Sequence, residues 1–171
     1  YEEAYLVFSL GDLSRTLSDN PRSSSKVYAV DPGMFAAFSR AASKEEGQRL
    51  ETAVFNKLRR MAPRARAGSL ARLTFEHEGR SHEIDFVMGD ALLGDVYELV
   101  QVSVDLSNPK TRKRELSALE AAMRKYGIGE STIVTMDAEE TVKTEAGVVR
   151  VVPAWKWLLD EGADGGRFLS A

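Results

Sequence analysis

Apolar residues recur with two periods along this chain, and the switches between them mark out its elements. Over residues 44–61, KEEGQRLETAVFNKLRRM, the side chains Leu50, Val54, Leu58 and Met61 fall on one stripe at helical spacing. Charges occupy the other faces, which predicts an amphipathic helix. Glu51 projects between Leu58 and Phe55, along the edge of the apolar face. The pattern then shifts toward strands. LARLTFEH (70–77) and SHEIDFVM (81–88) flank the turn EGR, and VYELVQVSV (96–104) follows the loop GDALLGD, predicting three strands. SNPKTRKRELSALEAAMRKYG (107–127) returns to helical spacing. Asn108 or Ser107 can cap it, Pro109 suits its first turn, Leu116, Leu119, Met123 and Tyr126 make its stripe, and Gly127 ends it. STIVTM (131–136) reads as a further buried strand. VVRVVPAWKWLL (148–159) reads as a strand, a proline that breaks it, and a short helix whose Trp155 and Trp157 are packing residues. EGADGGRFLSA (161–171) reads as a tail.

Ahead of the long helix, YLVFSL (5–10) and KVYAVD (26–31) are short β-rich runs joined by the polar DNPRSSS. They predict a hairpin or wing, closed by DPG, with the main domain beginning near Gly33. From there the order is helix, three strands, helix, strand, which points to an α+β domain: a mixed sheet flanked by helices.

Strand periodicity tells which polar groups can meet. In SHEIDFVM, His82, Ile84, Phe86 and Met88 are expected on one face, and Glu83, Asp85 and Val87 on the other. Asp85 lies deep in an apolar run, where a lone carboxylate needs a partner, a metal or a water-filled cleft. In VYELVQVSV, Tyr97, Leu99, Gln101 and Ser103 share one face, and Glu98, Val100 and Val102 the other. If the Gln101 face meets Asp85, with Glu51 arriving from the helix, a polar cluster results.

Metal-dependent phosphodiester hydrolysis uses such a cluster: oxygen ligands on adjacent strands hold Mg²⁺, and a lysine two residues past the second ligand polarises water. With Glu98 as that ligand, Val100 stands at the lysine position; with Gln101, Ser103 does. Neither register supplies an amine, so the catalytic half of the motif is degraded. The run KTRKR (110–114) occupies the first turns of a helix, where exposed cations oppose the macrodipole at about 0.3–1 kcal/mol each. It has two readings. One is a solvated face paired with Glu115 and nearby acids. The other is an anion site in which Lys110, Arg112, Lys113 and Arg114 converge on phosphate or on an acidic partner. Arg114 or Lys113 is also a candidate to replace the missing lysine. His77 and His82 read as hairpin residues.

Composition narrows the chemistry. No cysteine and only two histidines occur in 171 residues, which excludes a disulfide framework, a thiolate zinc site and a cysteine nucleophile. Any metal is expected to be Mg²⁺ or Mn²⁺ on carboxylates, with Glu51 and Asp85 as its ligands. A formal net charge of −3 confines nucleic-acid contact to a local patch. No apolar run of 18 residues, no signal peptide and no Walker A pattern occur, so a cytoplasmic location is expected. The chain opens on Tyr1 and reads as a piece of a longer protein.

Taken together, EGQRLETAVFNKLRR, HEIDFV, YELVQVSVDL, TRKRELSALEAAMRKYG, TIVTMD and VVPAWKWLL resemble one family. It is the C-terminal domain of unknown function in bacterial and archaeal AAA-type ATPases, itself similar to the PD-(D/E)XK restriction-endonuclease-like superfamily. The resemblance implies a core in the order αβββαβ over residues 34–171. Residues 1–33 would be the remnant of a winged-helix connector, and ATP would bind only through an N-terminal P-loop domain outside this chain. It matches Glu51 to the acidic position of the first helix and Asp85 to the aspartate of the PD half-motif. Gln101 falls at the acid of (D/E)XK and Ser103 at its lysine, where other members carry Glu-x-Lys. The expected function is a non-catalytic, nuclease-like accessory domain. It would bind nucleic acid or another protein, or regulate its own ATPase. The alternatives are a metal-dependent nuclease with a rearranged site on Glu51, Asp85 and Gln101, and an interaction or oligomerisation module without nucleic-acid contact.

Overall fold

Two strands too short to stand alone open the structure. In the computed structural model, which describes residues 5–13, 25–34, 42–62, 69–90 and 95–160, β1 (Val7–Leu10) and β2 (Lys26–Ala29) pair antiparallel, with Phe8 opposite Tyr28. An isolated two-stranded ribbon is marginal in water, and this one is fastened to α1 (Ala42–Met61). The Tyr28 ring stacks on Phe55 with centroids 4.2 Å apart, and the Arg59 guanidinium lies 3.8 Å from the Phe8 centroid. Asn56 Nδ2 donates to the carbonyls of Ala29 and Val30, both at 3.1 Å. The stripe read from the sequence faces inward: Leu50, Val54 and Leu58 are buried together with Phe55, while Met61 is half-buried.

The rest of the chain runs β3 (Leu70–His77), β4 (Arg80–Asp90), β5 (Asp95–Val102), α2 (Pro109–Tyr126), β6 (Glu130–Thr135), β7 (Glu140–Thr144), β8 (Gly147–Pro153) and α3 (Ala154–Leu159). Its strands form one mixed sheet in the order β3-β4-β5-β6-β8-β7. The pairs β3–β4, β4–β5 and β7–β8 are antiparallel; β5–β6 and β6–β8 are parallel. A core lies on each face. Leu73, Ile84, Val87, Leu99 and Ile133 pack with Leu119 and Met123 of α2, while Phe86, Met88, Val100 and Val134 pack with α1 and with Trp157 of α3. Ile133 and Val134 are neighbours on β6 and enter opposite cores, as a strand covered on both sides requires.

α2 has the ends that its sequence announces. Asn108 Oδ1 accepts from the Lys110 N–H at 2.9 Å, Pro109 sits in the first turn, and Gly127 closes the helix in the left-handed region at φ 68°. The hairpin joining β7 to β8 was not anticipated. Gly147 stands at φ 143°, where a Cβ would lie 2.1 Å from the Gly129 carbonyl oxygen. Among the described residues no helix is long and apolar enough to cross a membrane. The N-terminal residues 1–4, most of the connection between β1 and β2, the centre of GDALLGD (91–94) and the tail 161–171 lie outside the described residues.

Candidate functional site

The site begins with an extra residue in β4. Ala71 pairs with Val87 and Leu73 with Ile84, so two steps on β3 are matched by three on β4. Such a bulge turns the faces over. Ile84 and Val87 enter the core under α2, while Phe86 and Met88 enter the core under α1. Strict alternation had grouped Ile84 with Phe86 and Val87 with Asp85, and the bulge corrects that grouping.

A second break follows at once. The β4–β5 ladder ends at Phe86–Val100, and side chains take over from backbone. The Val102 N–H donates to Asp85 Oδ2 at 3.0 Å, and the Asp85 N–H donates to Gln101 Oε1 at 3.1 Å. Gln101 Nε2 donates in turn to Glu115 Oε2 on α2 at 2.7 Å. Where the strands part, a cleft of about 430 Å³ opens, lined by Lys26, Glu51, Glu83, Asp85, Gln101, Arg114 and Glu115 among others.

Lys26 is the feature that sequence reasoning missed. It reaches across from the hairpin, and its Nζ donates to Glu51 Oε1 at 3.0 Å and to Asp85 Oδ1 at 3.2 Å, with Glu83 Oε1 at 3.3 Å. The Tyr28 hydroxyl donates to the same Glu51 oxygen at 2.6 Å. Period two places Lys26 and Tyr28 on one face of β2, which was readable. Their partner Asp85 stands 59 residues from Lys26, and nothing local names it.

The electrostatics follow from burial and proximity. Burial alone would lower the Lys26 ammonium, but Asp85 and Glu51 beside it overcome that and hold it above the ordinary lysine range. Burial, and then Glu51, raise the Tyr28 phenol, which stays protonated as a donor. Asp85 is pushed up to about 6 by burial first and by Glu51 second, against the downward pull of Lys26 and of the Val102 N–H.

Other expected residues are placed differently. β5 ends at Val102, so Ser103 leaves the strand. Its N–H donates to the Val134 carbonyl at 3.0 Å and its hydroxyl to the Asp105 carbonyl at 3.1 Å. It is buried beside β6, away from the cleft, and does not join Gln101 in the site. The basic run also fans out around its helix. Arg112 forms a two-pronged pair with Glu140 of β7, while Arg114 pairs with Glu115 and is the member that lines the cleft. Lys110 and Lys113 are exposed and, at three- and four-residue spacing, share a helix face with Arg114, whereas Arg112 lies on another face and is taken up by Glu140. Trp157 packs as expected, but Trp155 is 62% exposed because the short α3 turns only one face inward. His82 stacks against Phe75 at the edge of the cleft, and His77 lies beside it.

A hard divalent ion asks for about six oxygen ligands in a regular shell. Glu51 and Asp85 do meet, but on the Lys26 ammonium. Among the described residues no three Asp, Glu or His side chains form a group that could hold a metal ion. In this arrangement the site does not fit Mg²⁺.

No family model matches this chain, and no solved structure matches it. It is similar to an uncharacterized protein of Methanocaldococcus jannaschii, 32% identical over 165 residues that cover 93% of this chain and 34% of that protein. The chain therefore spans about a third of the length of its curated relative.

Proposed function

We propose that this chain is a non-catalytic, nuclease-like accessory domain of a longer cytoplasmic polypeptide, where it binds a partner or regulates an attached AAA-type ATPase. The order α1, β3, β4, β5, α2, β6 supports likening its core to the restriction-endonuclease-like arrangement. The ATPase connection rests on the family resemblance, and the greater length of the archaeal relative leaves room for such a domain. One observation carries the non-catalytic reading. The carboxylates that would hold a metal are engaged by Lys26, while the Gln101 amide is consumed in tying β4 to Glu115. Nucleic acid is the weaker ligand, since two of the four cations of the basic run are already paired with glutamates.

The test is a cleavage assay on single- and double-stranded DNA with Mg²⁺ or Mn²⁺, run on the wild type, Asp85→Ala and Lys26→Met. No cutting by any of the three is expected. Metal-dependent cutting by the wild type that disappears in both variants would overturn this reading and make Lys26 the relocated amine that Ser103 fails to supply.

A further inference from the structure

The break between β4 and β5 leaves backbone donors that side chains must answer. Beyond Phe86–Val100 the strands no longer pair, and a buried N–H without an acceptor is costly. Gln101 Oε1 answers the Asp85 N–H, and Asp85 Oδ2 answers the Val102 N–H. Each of these side chains then turns its other atom outward from the strands. Asp85 Oδ1 accepts from Lys26 of the hairpin, which packs on the α1 side of the sheet. Gln101 Nε2 donates to Glu115 of α2, on the opposite side. Glu115 Oε1 in turn accepts from Arg114 Nε at 3.1 Å and from a second guanidinium nitrogen. A continuous relay results, Lys26–Asp85–Gln101–Glu115–Arg114, crossing the sheet where the ladder fails. Its three middle members are buried, while the Arg114 side chain at its end is 74% exposed. The relay has a fixed polarity, because Gln101 must point its oxygen at the Asp85 N–H and its nitrogen at the Glu115 carboxylate. Buried hydrogen bonds joined in this way strengthen one another.

We propose that this relay couples the two faces of the sheet, so that the grip of Arg114 on Glu115 sets how firmly Lys26 is held at the hairpin. The coupling needs no movement of the hairpin and no ligand among the acids, which Lys26 and Arg72 already pair. When Arg114 is drawn off, the buried Glu115 loses the cation that faces it, and the Gln101 amide loses the partner that fixes its orientation. The Asp85 N–H then has a looser acceptor, and Asp85 meets Lys26 from a less constrained position. The exposed surface of α2 is thereby an input to the hairpin, and Arg114 is a positioning residue that acts through Gln101. The coupling holds whether or not the cleft cleaves DNA.

A double-mutant cycle in urea titrations reads the coupling. Lys26→Met should lower the folding constant by about fivefold less in an Arg114→Gln background than in the wild type, because the relay is already cut there. Arg124→Gln removes a cation from the same helix, but one that pairs with Glu120 and Glu145. In that background Lys26→Met should cost what it costs alone. In 1 M salt, where the Debye length is about 3 Å, the Arg114 coupling should persist. In a Gln101→Met background, which keeps the bulk and cuts the relay, it should vanish. Hydrogen exchange gives a second readout that needs only one variant. In Arg114→Gln the Asp85 amide should exchange about tenfold faster relative to that of Ile133 on β6. Additive costs for Lys26 and Arg114, an equal coupling with Arg124, loss of the coupling in salt, its persistence in Gln101→Met, or an Asp85 amide that keeps pace with Ile133 would each overturn the proposal. If Gln101→Met does not fold, the exchange ratio decides.

Discussion

Asp85 and Gln101 are the two residues at which the cleft sets its own chemistry. Asp85 holds its proton more tightly folded than unfolded, at about 6 against an ordinary 3.8. The stabilisation that this gives is complete below the unfolded value and is lost as pH rises through the folded one. Urea denaturation from about pH 4 to pH 7 should therefore show a decline in wild-type stability that Asp85→Asn lacks. The Lys26 ammonium, also held above its ordinary range, contributes in the same sense but in a different window: its share persists through neutral pH and fades only in alkali. The surroundings of Gln101 favour an amide over an acid. Glu115 is 3% exposed and accepts from the Gln101 amide at 2.7 Å, so an acid at position 101 would set two carboxylates against each other. Gln101→Glu should cost about 2–3 kcal/mol at neutral pH and less in acid, read from denaturant midpoints.

At the level of elements, helix ends and strand irregularities differ in how far the sequence announces them. α2 could be read almost whole, because Asn108, Pro109 and Gly127 mark its ends and Leu119 and Met123 its buried face. Asn108→Ala should cost about 1 kcal/mol through the lost cap. Gly147→Ala should cost more, since a Cβ there meets a carbonyl oxygen at 2.1 Å and the backbone lies where side chains are strained. Thermal melts of the two variants check both the costs and their order. β7 escaped notice because ETVKT is short and charged, as befits an edge strand. The β4 bulge escaped for another reason: an inserted residue alters the register without altering composition. That Asp85 and Glu51 would meet was legible, since a carboxylate in an apolar setting is a local signal. Lys26 was not, because a polar residue at the start of a short strand looks like any other until its distant partner is known.

For the molecule as a whole, charge and strand order set the terms. With a net charge of −3, contact with DNA would fall to local cations such as the exposed Lys110 and Lys113 at the head of α2, and each phosphate contact contributes roughly −0.9 to the slope of log K against log salt. Lys110→Glu/Lys113→Glu should flatten it, as measured by anisotropy titration at several salt concentrations. Strand order bears on how the protein comes to be made. β8 is the last strand of the sheet, yet it lies between β6 and β7, and the buried Lys57 waits on carbonyls a hundred residues downstream at Trp157. While the chain emerges from a ribosome, β7 therefore has no ladder partner until β8 is made, and the lysine in α1 has nothing to hold. A nascent chain halted before Gly147 would leave β6 as a raw edge open to its neighbours.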